Sequence, residues 1–438
     1  MKQQLLNDYN TSLSHSGING ERLASRLDEL SAIGSTEDGG SFRLAFSPEE
    51  KQAKDLAASW MEEAGMTVRR DGAGNVIGRL EGSTLPGRRV MSGSHLDSVP
   101  HGGHFDGPLG VLAAIEVAQA WKDNGEQPPL TFEAVVFSDE EGARFQSGLS
   151  GSLAMTGEIN LEEKAGLKDE SGRSYEEVLS DQGLDLDSVR RAEEDFSDVE
   201  AFLEVHIEQG KRLEKAGLST GVVEGIAGPA WLKVTFTGRA GHAGNTPMDD
   251  REDALIAASR FVTEVEKIPA AISRTAVATV GKMHVKPNGV NVIPGEVTLT
   301  VDIRDIDQKA RDEVIRRTKA MAQYIADDRG VATSTETMMS TPPQPVPDDL
   351  LALGAEAVEK TLGTKPYILP SGAGHDAMII GRKAPFAMLF TKSRDGVSHH
   401  PAEWSSLSDC VETIHVLKTL TEAVMTKAQT KNQGGNIS

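Results

Sequence analysis

The chain has 438 residues, 38% of them apolar and 25% charged, and its 66 acidic against 45 basic side chains leave a net charge of −21. That length predicts two compact units with sizeable cores, and the acidic balance disfavours nucleic acid or an anionic membrane as a partner. Cys410 is the only cysteine, so an intramolecular disulfide and a thiolate cluster are both excluded, and any metal must be held by His, Asp and Glu, which suits zinc, manganese, cobalt or nickel.

The opening stretch MKQQLLNDYNTSLSHSGING is polar and lacks an apolar h-region. The expectation is a cytoplasmic protein without a signal peptide, and with no run of about 18 apolar residues no membrane span is predicted. An amphipathic helix is expected from Asn19 to Leu30. Ser47-Pro48-Glu49-Glu50 predicts the next helix start, with a Ser N-cap, Pro at the first position and acids in the first turn. Short strands follow at MTVRRD, NVIGRLEG and RRVMSGSHLD. GPLGVLAAIEVAQAWKDNG reads as a helix and LTFEAVVFSDEEG as a buried strand. Strand, helix and strand in this order predict a βαβ unit with a parallel core. Residues from about Asn160 to Glu200 are polar and helical in pattern, and AFLEVHIEQG is again a strand.

Near Gly221 the texture changes to WLKVTFTGRAG, a helix, TAVATVGKMHV, EVTLTVDIRD, a second helix and VATSTETMM. That order is β-α-β-β-α-β, the ferredoxin-like pattern. The Pro-rich stretch STPPQPVPDD marks a boundary, after which α/β texture resumes. The fold class expected is therefore α/β: a catalytic domain in two segments, 1–222 and 342–438, with a ferredoxin-like domain inserted at 223–341.

Histidines and carboxylates recur at the ends of the strand-like runs, where α/β proteins place their chemistry. His95, Asp97 and Asp106 lie in GSHLDSVPHGGHFDGPLG, Glu140 and Glu141 close VVFSDEEGARF, His206 follows FLEV, and His399 follows MLFTKSRDGVS. Singly, an Asp before a helix reads as an N-cap and a lone His as structural. Together, they can supply two metal sites joined by a carboxylate. Alternation along VVFSDEE points Glu140 and Glu141 differently, so one can ligate while the other, with its pKa tuned upward, serves as base. Asp97, two residues after His95, can accept a hydrogen bond from the second imidazole nitrogen.

At this point the chain resembles the M20-type zinc peptidases and amidohydrolases, and within them the amidase, hydantoinase/carbamoylase family. The blocks that carry the resemblance are GSHLDSVPHGGHFDGPLGVLAAIEV, SDEEGARF, EVHIEQG, GHAGNTPMDDREDAL, NVIPGEVTLTVDIRD, SGAGHDA and GVSHHPAEW, in family order over roughly residues 20–425. The resemblance implies two divalent ions per subunit, zinc first and manganese, cobalt or nickel as alternatives. His95 and His206 would hold one ion, Glu141 and His399 the other, with Asp106 between them. Glu140 would be the general base and Asp97 the partner of His95. The usual SHNP of the last block is SHHP here, and register favours His399 over His400 as the ligand. His101 and His104 match no family ligand.

The resemblance further implies a homodimer formed through the inserted domain, with His242 of GHAG serving the partner's active site. Arg304, Asn291 and Gln209 would bind a substrate carboxylate, a task that suits the bidentate fork of arginine. An ion pair with Asp302 or Asp305 is the plainer role for Arg304. Gly372, Gly374 and His375 of SGAGHDA would line the same pocket. The implied activity is metal-dependent hydrolysis of a linear ureido or carbamoyl C–N bond in a small carboxylate-bearing substrate. An N-carbamoyl-L-amino acid comes first, allantoate second, and an N-acyl amino acid or dipeptide after those. A non-catalytic scaffold would be expected to have lost the base or a ligand, and none is missing. A periplasmic-type solute-binding protein would need a signal peptide.

Overall fold

The computed structural model describes residues 1–435, so the last three residues of the expected 342–438 segment lie outside it. In chain order its main elements are α1 (Gly20–Ala32), α2 (Pro48–Glu63), β1 (Thr67–Arg70), β2 (Val76–Leu80), β3 (Leu85–His95), α3 (Pro108–Asn124), β4 (Leu130–Phe137), β5 (Val199–Ile207) and β6 (Thr220–Ile226). There follow β7 (Gly228–Thr237), α4 (Ala254–Val265), β8 (Val277–Lys286), β9 (Glu296–Asp305), α5 (Gln308–Arg329) and β10 (Ala332–Ser340). The chain closes with α6 (Asp348–Leu362), β11 (Phe386–Thr391) and α7 (Leu407–Gly435). Among the described residues no helix is long and apolar enough to cross a membrane.

Two compact units result. The larger takes Met1–Glu224, Val346–Leu369 and the segment from His375 onward, and the smaller takes Gly225–Pro345 with Pro370–Gly374. The sequence places this last pentapeptide with the 342–438 segment. It groups with the smaller unit because Ala227 N–H donates to the Ser371 carbonyl at 2.9 Å and Arg304 Nη1 donates to the Gly372 carbonyl at 2.7 Å.

The larger unit is built on one mixed sheet that runs β1-β2-β4-β3-β5-β11-β6. β4, β3, β5 and β11 are mutually parallel. β1, β2 and β6 join antiparallel. A strand covered on both faces reads as a near-continuous apolar run, and every residue of β4 is buried. α3 packs on this sheet and is buried along nearly its whole length. The expected helix starts are present: Asn19 caps α1, and Ser47 accepts from Glu50 N–H at 3.1 Å with Pro48 at the first position of α2. Beyond β4, short helices at Ser150–Met155, Leu161–Ala165, Tyr175–Asp181 and Leu186–Arg190 surround a small core of Tyr175, Val178, Leu179, Phe46 and Phe145.

The smaller unit is a four-stranded antiparallel sheet in the order β10-β7-β9-β8. In the order of its own strands this is fourth, first, third, second, the ferredoxin-like arrangement. Val297, Leu299, Val301 and Ile303 alternate inward along β9 and join Phe236, Phe261, Val314 and Ile325 in its core. Asp302 and Arg304 therefore share the opposite face of β9.

Candidate metal and catalytic site

The parallel strands of the larger unit end together, and their C-terminal ends carry the candidate residues. His95 is the last residue of β3 and His206 the penultimate residue of β5. Glu140 and Glu141 follow β4, and His399 lies in the loop after β11. His95, His206 and Asp106 are nearly inaccessible, at 1%, 2% and 6% exposure, which sets them among structural core rather than surface polar groups.

Two backbone carbonyls fix the imidazole tautomers. His95 Nδ1 donates to the Asp97 carbonyl at 3.1 Å, and His206 Nδ1 donates to the Ile207 carbonyl at 3.0 Å. A carbonyl can only accept, so each Nδ1 carries the hydrogen and each Nε2 is left to face the site. His206 Nε2 is 3.1 Å and His95 Nε2 3.6 Å from Asp106 Oδ1. On the other side of the same carboxylate, His399 Nε2 is 3.5 Å from Asp106 Oδ2 and 3.4 Å from Glu141 Oε2. His95, Asp106 and His206 thus form one donor set and Asp106, Glu141 and His399 a second, each with ligand atoms within 4.8 Å of one another. Asp106 is common to both, one oxygen turned to each. It does not cap α3, whose N-cap Gly107 shows no side-chain cap. Gly107 is required by its φ of 82° and because a Cβ there would lie 2.5 Å from the His95 ring.

Asp97 departs from the expected geometry. His95 Nδ1 bonds its backbone carbonyl, while the carboxylate Oδ1 stands 3.6 Å away. The carboxylate instead accepts from Glu140 N–H at 3.2 Å and Glu141 N–H at 3.1 Å. β4 also ends at Phe137, and Asp139 has a left-handed φ of 55°. The two glutamates diverge because a tight turn separates them from the strand, not because of strand alternation. His399 and Gln209 likewise hold left-handed backbones, φ 54° and 55°. Such conformations in residues other than glycine are sparsely populated and gather at functional loops.

The charges press on one another. Burial, Glu141 and Asp376 hold the Glu140 carboxyl well above the usual range. Burial and Asp106 push Glu141 up to about 7. Burial opposes ionisation of Asp106, but His206, His399 and His95 outweigh it and hold that carboxyl well below its usual value. His399 is pushed up to about 9, first by its contact with Asp106. Imidazoles drawn toward protonation beside carboxyls also drawn toward protonation mark a cluster short of positive charge, which a divalent cation supplies. His95 Nε2 is moreover buried with no hydrogen-bond partner among the described residues. The donor set fits a metal.

Of the remaining candidates, Gln209 and His375 belong to the larger unit. Gln209 Nε2 donates to Asp106 Oδ2 at 2.8 Å and to Ser398 Oγ at 3.0 Å. The His375 ring packs 4.5 Å from that of His206, centroid to centroid, and burial holds its pKa well below the ordinary value. His400 Nδ1 accepts from Ala402 N–H at 3.0 Å, a local turn contact. His101 bonds Asp38 at 2.8 Å and His104 bonds the Gly39 carbonyl at 3.0 Å.

His242, Asn291, Arg304, Gly372 and Gly374 lie in the smaller unit. His242 pairs across a short ladder with Val292, beside Asn291, whose carbonyl accepts from Ala243 N–H at 3.0 Å. Arg304 lies against Asp302, with Nη2 2.8 Å from Oδ2, and donates to the Gly372 carbonyl. Ser398, Glu403, Asp139 and Lys164, all held in the network around the donor sets, were not singled out from the sequence. Glu403 and Ser398 sit inside the GVSHHPAEW block, which is the one signal that could have drawn attention to them.

Buried paired donor sets beside a further carboxylate define the class of metal-dependent hydrolases. Comparison with known proteins agrees. The family described as Peptidase family M20/M25/M40 matches residues 91–423. An N-carbamoyl-L-amino acid amidohydrolase of Geobacillus stearothermophilus is 45% identical, over 91% of this chain and 97% of that protein. An allantoate amidohydrolase of Bacillus subtilis is 37% identical, over 87% of this chain and 92% of that protein. The crystal structure of an amidase of the hydantoinase/carbamoylase family from Burkholderia multivorans is similar with a TM-score of 0.86 at 36% identity, covering 93% of this chain and 98% of that one. The chain belongs to the M20/M25/M40 family and is an amidohydrolase within it.

Proposed function

We propose that this amidohydrolase cleaves the carbamoyl C–N bond of N-carbamoyl-L-amino acids, using two divalent ions, zinc first, that share Asp106. The observation that carries the reading is the split of the Asp106 carboxylate, with Oδ1 turned to His95 and His206 and Oδ2 to His399. His95 and His206 would hold one ion and Glu141 and His399 the other. Ions held there would polarise the carbamoyl carbonyl and raise the acidity of the attacking water. Glu140 belongs to neither donor set, and burial with the neighbouring carboxyls raises its proton affinity, which suits a general base. Its carboxylate takes a proton from the attacking water and returns it to the departing α-amino nitrogen. Asp97 holds the base in place through the Glu140 and Glu141 N–H groups. Arg304, Asn291 and Gln209 are assigned to the substrate carboxylate, Gly374 and His375 to the pocket lining, and His242 to the partner's active site in a homodimer. These roles rest on the family resemblance.

The similarity to the Bacillus subtilis allantoate amidohydrolase supports allantoate as the second reading. A panel decides: the metal-reconstituted protein is assayed on N-carbamoyl-L-methionine, N-carbamoyl-L-phenylalanine, N-carbamoyl-β-alanine, allantoate and an N-acetyl amino acid. The highest kcat/KM is expected on an N-carbamoyl-L-amino acid. A higher value on allantoate sets that reading aside.

A further inference from the structure

Asp106 is the residue on which both donor sets depend, so whatever fixes its main chain fixes both. That main chain is held from a point 297 residues away. Glu403 Oε1 accepts from Asp106 N–H at 3.1 Å and from the preceding Phe105 N–H at 2.8 Å. Ser398 Oγ lies 2.8 Å from Asp106 Oδ2 and 3.2 Å from Glu403 Oε2, so its single hydrogen joins one of the two carboxylates at a time. Glu403 is 3% exposed, so these contacts are not exchanged for solvent. The chain also makes room for it. A Cβ on Gly103 would lie 2.1 Å from both Cδ and Oε1 of Glu403 and 2.5 Å from its Cβ.

The segment that carries Glu403 also carries His399 and Ser398. One stretch of chain therefore addresses Asp106 three ways: Glu403 at its backbone, Ser398 at its Oδ2, and His399 across the second donor set. We propose that Glu403 is a positioning residue that locks the Asp106 loop to the His399 loop and so sets the spacing of both metal sites. The proposal rests on the reading of Asp106 as the shared ligand.

A lock made of hydrogen bonds differs from a contribution of charge. In Glu403→Gln the amide oxygen can still accept both N–H groups, and the amide nitrogen can donate to Ser398 Oγ, whose own hydrogen goes to Asp106. Glu403→Ala leaves both N–H groups without that acceptor. Gly103→Ala displaces the Glu403 carboxyl while leaving every proposed ligand unchanged, so it serves if Glu403→Ala fails to fold.

The experiment strips the full-length protein of metal with a chelator, then titrates Co²⁺ and follows its visible absorption bands, with stoichiometry from elemental analysis and melting of the metal-free protein alongside. Loss of such supporting contacts typically weakens metal binding by about 10- to 100-fold. Glu403→Ala and Gly103→Ala are expected to weaken both binding steps by at least ~10-fold, and Glu403→Gln to stay within about 3-fold of wild type with an unchanged melting temperature. Wild-type cobalt affinity in Glu403→Ala or in Gly103→Ala overturns the proposal. So does Glu403→Gln binding as weakly as Glu403→Ala, which would make charge the cause. Asp106→Ala run in parallel separates the two levels. If it keeps both ions, the shared-ligand reading itself has failed. If it loses both while Glu403→Ala binds normally, only the role of Glu403 has failed.

Discussion

Glu140 and Glu141 have the same side chain, and only their surroundings distinguish the roles proposed for them. Glu141 lies against His399 and shares its donor set with Asp106, whereas Glu140 faces His95 Nε2 at 3.7 Å from outside both sets. Replacement of Glu140 by Gln keeps shape but removes the proposed proton acceptor. Turnover should fall by at least ~10²-fold with metal content unchanged, measured by elemental analysis beside steady-state kinetics. Glu141→Gln should instead lose metal. If Glu140→Gln remains active while Glu141→Gln keeps both ions and is inactive, the roles are reversed. Asp106→Ala should lose both ions and His399→Ala mainly one. The residue types at the site were legible because strand ends and glycine-flanked loops announce them. The family blocks, not the spacing, separated His399 from His400. The role of the Asp97 carboxylate was not legible, because its partners are two backbone N–H groups more than forty residues away, and backbone donors leave no mark in a sequence.

At the scale of elements, the turn after β4 is held from beneath by groups that the sequence hid in a polar stretch. Asp139 is fully buried and bonds Ser150 Oγ. Lys164, on the short helix Leu161–Ala165, donates to Ser150 Oγ and to the Ser147 carbonyl, both at 2.6 Å, and lies 3.6 Å from Asp139. The segment around Lys164 reads as polar and helical in pattern, yet this side chain is buried beneath the turn that carries Glu140. Breaking a buried pair by removing one partner typically costs about 3–5 kcal/mol, because the other charge is left behind. Burial already lifts the Asp139 carboxyl to about 7 beside Lys164, so in Lys164→Met it can take up a proton, and the loss in urea unfolding should approach that scale only above pH 7 and shrink below it. Adding Asp139→Asn should recover most of the loss by removing the stranded charge. Additive losses in the double variant would refute the coupling. Most helices and strands were legible, from caps such as Ser47 and from the alternation along β9, but the strand β6 and the closing helix α7 were not among the expected elements. The place of the Pro370–Gly374 segment was not legible, since long-range contacts such as Ala227 N–H to the Ser371 carbonyl and Arg304 to the Gly372 carbonyl, rather than any local pattern, tie it to the smaller unit.

At the scale of the whole molecule, the candidate residues divide between two units: the donor sets and Glu140 in the larger, His242, Asn291 and Arg304 in the smaller. His242 is exposed, and its Nδ1 accepts from Gly244 N–H at 3.1 Å and Asn245 N–H at 3.2 Å. With Nδ1 occupied as an acceptor, the ring hydrogen is on Nε2, which leaves His242 a donor available to a ligand. Assignment of that donor to the partner's active site makes a prediction that no folding defect can imitate. Glu140→Gln and His242→Ala are each expected to be inactive as homodimers. In a mixed dimer, one composite site carries both defects and the other carries neither. The intact site combines Glu140 of the His242→Ala chain with His242 of the Glu140→Gln chain. Random exchange of equal amounts makes half the dimers mixed, each with one working site of two, so activity should recover to about a quarter of wild type per chain. Subunit exchange is verified with differently tagged chains, and activity is read before and after mixing. If exchange is complete and the mixture stays as inactive as its parents, His242 does not act across a dimer interface.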